Sequence, residues 1–486
     1  MPMRIDAIGG LSLAALATRI GGGEITAAAA TEACLAALAG EGMRLGAVAG
    51  LDREAALAAA TAADDALRSG PQRGPLHGVP LAHKDMFFRK GRLTECGSRL
   101  LAGHRGRVTA TALARLDAAG AIDVARLSMS EFAIGPTGHN PVTGTPRNPW
   151  NAEHLAGGTS SGPAVAVAAG LVPAALASDT GGSARLPAAF CGVVGLKPST
   201  GRVSRHGMFK VSSTLDHVGI LARTVADAGL LLAAVAGPDP LDPTTWSAEA
   251  PLPGTLPAAG ALAGLAIGVP RTYFLDDLDP AVERATEEAI AAFRALGATI
   301  VPVDVPKAEL GNPMASLIIM VEAATVHRRF MAERPDDYAP ETLARLRTGP
   351  LYAATDYRLA LTVRAELLRL IGEAVFERVD LLLTPSATGT APRIDGADLP
   401  PGTGFADLVG PIGRCLRLFN VTGLPAISLP TGLAPNGLPV AIQLVGRPLD
   451  EATLLRAGAA YEAAVGGFPA PPLTKDVRKR GGNNDP

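Results

Sequence analysis

Two glycine-flanked hydroxyl clusters offer chemistry. They are Gly157-Gly158-Thr159-Ser160-Ser161-Gly162 and Asp179-Thr180-Gly181-Gly182-Ser183, with Thr159 and Ser183 separated by 24 positions. Glycine admits backbone conformations closed to other residues and so lets the chain approach a substrate closely. A hydroxyl that follows a Gly-Gly pair is well placed for presentation by a tight turn. The successive N–H groups of such a turn can form an anion-binding nest. Together these suit a serine nucleophile with an oxyanion hole beside it.

Two other motifs overlap the first cluster. Gly158-Thr159-Ser160-Ser161-Gly162 matches Gly-x-Ser-x-Gly, the nucleophile elbow, which needs a strand immediately before it. The preceding Trp150-Asn151-Ala152-Glu153-His154-Leu155 is not strand-like. The same glycines could cradle phosphate, but no Gly-Lys-Ser/Thr follows and no Gly-x-Gly-x-x-Gly opens a βαβ unit. Both matches are set aside. Asp179 and Arg185 are read as a structural ion pair around the turn, Cys191 as packing, and Lys197 as a cap or ion-pair residue.

The elements that must position these clusters are legible around them. Residues 164–170 are helix-prone and 171–178 strand-prone. Thr26 is a fitting N-cap for a helix to residue 38, and 53–68 reads as an amphipathic helix. The apolar run 79–83 suits a buried strand with Lys84 at its end, and 121–127 a second strand. A lysine after such a run is by default solvent-exposed. Strands are expected at 202–204, 218–222, 265–269, 299–303, 380–384, 426–430 and 440–445. Thr224 opens a helix to residue 235, and residues 236–260 read as a loop. Asp279-Pro280 starts a helix that Gly297 stops. The strand-helix-strand unit over 265–303 argues for an α/β architecture. Residues 312–376 are mostly helical, with a break near Gly349-Pro350.

The clusters resemble the amidase signature family, in which a Gly/Ser-rich stretch is followed by Asp-Thr-Gly-Gly-Ser. Cys191-Gly192-Val193-Val194-Gly195-Leu196-Lys197-Pro198 continues the likeness. So do Gly74-Pro75-Leu76-His77-Gly78-Val79-Pro80 leading to Lys84-Asp85, Leu215-Asp216-His217-Val218-Gly219, the segment from Phe419 to Ala426, and Asn436-Gly437-Leu438-Pro439-Val440. The likeness covers roughly residues 8–468. It implies one α/β domain over 1–468, a large mixed β-sheet sandwiched between helices, followed by a flexible tail over 469–486. It implies Ser183 as the nucleophile that forms an acyl-enzyme and reverses the default for Lys84, making it the catalytic lysine. Such a lysine acts as a base only when neutral, which burial favours. Thr159 falls where the family carries a serine after a cis peptide that relays a proton, with Ser160 as the fallback register. Thr180, Gly181, Gly182 and Ser183 supply the oxyanion-hole N–H groups. Ser128 to Phe132 resembles a cleft-lining segment, which makes Met129 a candidate substrate contact, with an ordinary core role as its alternative.

The resemblance implies an amidohydrolase that converts a linear carboxamide to a carboxylate plus ammonia or an amine, without cofactor or metal. Two alternatives stand beside it. One is the A subunit of a glutamine-dependent tRNA amidotransferase, against which Gly413 and Arg414 stand where an acidic residue would meet the glutamine amine. The other is a non-catalytic family member. Arg364, Arg414 and Arg417 are cations that a substrate carboxylate could meet; none is assigned.

Composition bounds the partners. The 486 residues are 48% hydrophobic and 19% charged, which is ample for a large core. A net charge of -2 and a pI near 6.5 give no electrostatic case for nucleic acid or an anionic membrane. No purely apolar run reaches 18 residues, and the amino terminus lacks a basic-then-apolar leader. The expectation is a cytoplasmic protein with a small-molecule amide substrate, no nucleic acid or membrane partner, and a homodimer as the family habit. Cys34, Cys96, Cys191 and Cys415 are scattered without metal-ligand or disulfide spacing.

Overall fold

The computed structural model describes residues 10–70, 74–246, 262–399 and 409–472. Its centre is a sheet of eleven strands: β1 (Val48–Leu51), β2 (Pro80–Lys84), β3 (Ile122–Leu127), β4 (Ala174–Ser178), β5 (Val194–Lys197), β6 (Val218–Ala222), β7 (Ala266–Pro270), β8 (Thr299–Val303), β9 (Leu381–Pro385), β10 (Ala426–Leu433) and β11 (Pro439–Gly446). They lie in the order β1-β3-β2-β4-β6-β5-β10-β11-β9-β7-β8. This is the large mixed sheet that the family resemblance implies.

Two parallel groups flank an antiparallel centre. β2 runs parallel to both β3 and β4. On the far side β7 runs parallel to β8 and β9. Every residue of β2, β4, β5, β6 and β9 is buried, as expected of interior strands covered by helices on both faces. The chain's small residues allow close layering. The helix Ser161–Ala168 is buried at every position. At Gly162 a Cβ would stand 2.5 Å from the main chain of Ser128.

Several local expectations match the backbone. Thr26 caps the helix Ala27–Ala37 by accepting from Ala29 N–H, and Thr224 caps Val225–Val235 through Asp227 N–H. Asp279 with Pro280 opens the helix Pro280–Ala295. The strand expected over 171–178 starts only at Ala174, because Gly170 turns with φ +68° and the next three residues complete the bend. The strand expected over 202–204 does not form. Only a single bridge joins Val203 to Ala236. Asp239 and Asp242 bind Ser204 Oγ and Arg205 N–H there, so side chains replace the ladder. Most of the expected tail and the later part of the 236–260 loop lie outside the described residues. Among those described, no helix is long and apolar enough to cross a membrane.

Candidate active site

Parallel pairing brings the C-terminal ends of β2 and β4 side by side, the place where open α/β sheets present ligand sites. Lys84 closes β2 and Ser178 closes β4. Lys84 Nζ donates to Thr159 Oγ1 at 2.6 Å and to Ser178 Oγ at 2.8 Å. The lysine is fully buried. Burial pushes its pKa down to about 7, against the opposing pull of Asp216 and Asp179. Near pH 7 the amine is divided between its charged and neutral forms. The Gly158–Thr159 peptide is cis.

The turn after β4 is held from behind. Asp179 accepts from the N–H groups of Gly182 (2.9 Å), Ala184 (3.2 Å) and Arg185 (3.3 Å). It also accepts from Arg185 Nε and Nη2, both at 3.0 Å, and from Asn420 Nδ2 at 2.8 Å. Burial opposes ionisation of this carboxyl, but Arg185 and the surrounding donors outweigh it and hold the pKa well below the usual range. Arg185 is itself saturated, reaching Asn420 Oδ1, Gln443 Oε1 and Leu416 O. The expected structural ion pair is thus present, and it fixes the turn through hydrogen bonds on every side.

This scaffold refines the oxyanion-hole expectation. Gly182 N–H is already committed to Asp179. Among the described residues, the N–H groups of Thr180, Gly181 and Ser183 have no protein acceptor. Gly182 instead shapes the turn. Its φ of +111° lies in the region that favours glycine, and a Cβ there would meet the Leu416 side chain at 2.5 Å. Thr180 is steered by its own hydroxyl, which donates to Asp216 Oδ1 at 2.7 Å.

Thr159, Thr180, Gly181 and Ser183 line one cavity of about 320 Å³. Apolar residues from three further segments, including Ile134, Ile319 and Ile412, close its walls. Met129 is not on these walls: its side chain is fully buried in the main core, and its carbonyl accepts from Asn140 Nδ2. Ser160 also points away, donating to Ser178 O at 3.2 Å. Sequence reasoning missed Ser178, a lone polar residue closing an apolar strand. It also missed Arg345 and left Arg417 unassigned. Both line the cavity, while Arg364 and Arg414 bind main-chain carbonyls elsewhere.

A buried amine hydrogen-bonded to a hydroxyl, with a serine and free main-chain donors on the same cavity, is the set of groups that acyl transfer calls for. The Amidase family profile matches residues 29–455, and the chain belongs to that family. It is 41% identical to the A subunit of the glutamyl-tRNA(Gln) amidotransferase of Chloroflexus aggregans, over 93% of this chain and 96% of the relative. A solved structure from a vestigial protein complex that reveals the evolutionary origins of an s-triazine catabolic enzyme superposes with a TM-score of 0.86. It is 32% identical and covers 95% of this chain and 100% of its own. The A subunit of the Thermotoga maritima glutamyl-tRNA(Gln) amidotransferase superposes with a TM-score of 0.77 at 28% identity, covering 97% and 98%.

These relatives correct the expectation of no nucleic-acid partner. That expectation rested on net charge, yet the chain is similar over nearly its full length to proteins named for a tRNA substrate. Overall charge addresses only sequence-independent attraction of phosphates by the chain as a whole. It says nothing about membership of an assembly that acts on a nucleic acid.

Proposed function

We propose that the chain hydrolyses a linear carboxamide through an acyl-enzyme on Ser183, with Lys84 and Thr159 carrying the proton. The observation that carries this reading is the 2.6 Å contact between the buried Lys84 Nζ and Thr159 Oγ1, on the wall that Ser183 shares. In the neutral form the amine accepts a proton from the Thr159 hydroxyl, which in turn takes one from Ser183 Oγ. The serine oxygen attacks the amide carbon, and the carbonyl oxygen gains negative charge before the N–H groups of Thr180, Gly181 and Ser183. The relay then returns the proton to the leaving nitrogen, the C–N bond breaks, and ammonia or an amine departs. Water repeats the sequence to free the acid. The threonine methyl restricts χ1, and the hydrogen bond to Lys84 keeps the hydroxyl in the relay orientation.

A second reading is the A subunit of a glutamine-dependent tRNA amidotransferase, supported by the 41% identity over almost the whole chain. It shares the acylation of Ser183 and differs in the fate of the ammonia, which a partner would consume. The test is intact-mass analysis after a fluorophosphonate, with ammonia release measured in parallel. One adduct that vanishes in Ser183→Ala and forms more slowly in Thr159→Ala is expected. An unlabelled wild-type chain would overturn the serine reading. Ammonia released from glutamine only when the partner proteins of such an assembly are added would favour the second.

A further inference from the structure

The bond that steers Thr180 depends on where Asp216 stands. Asp216 Oδ1 accepts from Thr180 Oγ1 at 2.7 Å, and its Oδ2 accepts from Val211 N–H at 2.9 Å. The carboxylate therefore follows the course of residues 211–216, which lie in the loop between β5 and β6. A second carboxylate, on a helix far away in the chain, holds that loop. Glu322, buried on the helix Gly311–Glu333, accepts from Ser212 Oγ, from Thr214 Oγ1 and, at 3.0 Å, from Thr214 N–H. Its fourth donor is Tyr357 OH at 2.7 Å, from the helix Ala354–Ile371. Each oxygen takes two donors, none of them charged, which fills the acceptor capacity of an ionised carboxylate. Ser212 passes the constraint along the loop. Its Oγ accepts from Leu215 N–H at 3.0 Å, and its carbonyl accepts from Asp216 N–H at 3.1 Å. The helix that carries Glu322 also places Ser316, Ile319 and Met320 on the cavity wall, and the loop places Val211 there.

We propose that Glu322 is a positioning residue for the reaction: it fixes the 211–216 loop and, through Asp216, the orientation of Thr180 beside Ser183. This rests on the acyl-enzyme reading above and adds to it a residue that does not line the cavity. A carboxylate suits the task because it only accepts, so every donor around it must point inward. Glutamine keeps the shape but exchanges one oxygen for an NH2 group. Whichever way that amide lies, two of the four donors lose their acceptor, and at least one of them belongs to the loop. Oxyanion donors act only when aimed at the place where charge will form. Once the loop is released, Asp216 no longer holds the Thr180 hydroxyl in one place, and the neighbouring N–H groups lose their aim.

The kinetics of fluorophosphonate labelling test this, because the P=O oxygen gains charge before the same donors as Ser183 Oγ attacks and fluoride leaves. Glu322→Gln should lower the maximal labelling rate about tenfold and leave the half-saturating concentration within about twofold. On a Thr180→Val background, which lacks the hydroxyl, the same substitution should change the rate by less than about twofold. Tyr357→Phe strips a donor from the same carboxylate without touching the loop, and its rate should stay within about twofold of wild type. Thr214→Val removes one loop hydroxyl and carries the same cycle, with a smaller drop, where Glu322→Gln does not fold. Equal slowing by Tyr357→Phe and Glu322→Gln, or slowing undiminished on Thr180→Val, overturns the positioning role. Hydrogen exchange is scored separately and needs no chemistry at Ser183. Val211 N–H reports the Asp216 carboxylate directly. Peptides spanning 211–216 should exchange about tenfold faster in Glu322→Gln and at the wild-type rate in Tyr357→Phe. Unchanged exchange in Glu322→Gln defeats this inference alone, and an unlabelled wild-type chain with the expected exchange defeats only the acyl-enzyme.

Discussion

Lys84 and Lys197 invite comparison, because both close a strand, both are fully buried, and both lose basicity to burial. Their surroundings then diverge. Around Lys84 the next influences are the carboxylates Asp216 and Asp179, which moderate the fall in pKa and leave it at about 7. Around Lys197 the next influence is Arg185, which deepens the fall. Lys84 meets two hydroxyls, one of them on the wall of the cavity. Lys197 donates to the carbonyl of the adjacent Pro198 at 3.1 Å. Burial decides the protonation state of a lysine; its acceptor decides whether the proton can go anywhere.

The strongest way to break the comparison is to exchange each lysine for methionine. Lys84→Met should lower kcat by about 10³-fold, the scale of a lost general base, read as ammonia release under saturating amide. Lys197→Met should leave the labelling rate of Ser183 unchanged and shift stability by less than about 1.5 kcal/mol, as for a volume-conserving core exchange. A drop in labelling as deep as that of Lys84→Met would erase the distinction.

The scaffold that separates the two lysines is expected to matter almost as much. Arg185→Met strips Asp179 of its cation and leaves a buried carboxylate uncompensated, at a cost of about 3–5 kcal/mol. Chemical denaturation should register this as a lower midpoint at an unchanged slope. A loss below about 1 kcal/mol would show that the neutral donors around Asp179 suffice on their own.

Thr159 sharpens the comparison further. Thr159→Val keeps the shape and removes the hydroxyl, and the rate of Ser183 modification should fall about 10²-fold. Thr159→Ser keeps the hydroxyl and should stay close to the wild-type rate. Equal rates in valine and serine variants would remove the threonine from the proton path.

The gentlest probe is pH. Activity should rise through an apparent pKa near 7 as Lys84 loses its proton. The stability sign follows from linkage. The native state holds Lys84 at about 7 and the unfolded chain near its ordinary 10.5, so between these values the unfolded chain binds more protons and stability increases with pH. Below pH 7 both states are protonated and the full cost of the buried ammonium is present. Lys84→Met should therefore gain stability relative to wild type in acid, and lose that advantage towards pH 10. A flat difference between the two melting curves across this range would contradict a depressed Lys84 pKa.

The sequence by itself determined the local elements and the reactive types. The caps Thr26, Thr224 and Asp279 choose helix starts through their own side-chain oxygens, a decision made within four residues. The apolar run before Lys84 and the Gly-Gly pair before Ser183 likewise carry their message in adjacent residues. Tertiary structure decided what depends on distant neighbours. Parallel pairing of β2 with β4 joined Lys84 to Ser178, 94 positions away. Asp179 claimed Gly182 N–H, one of the four donors expected to face a substrate. Met129, placed on a cleft-like segment, turned into the core, while Arg345 and Arg417 came from distant parts of the chain to line one cavity. Nothing in a residue's near neighbours states which buried charge will find a partner, because that depends on which strands and helices the whole chain brings within hydrogen-bond range.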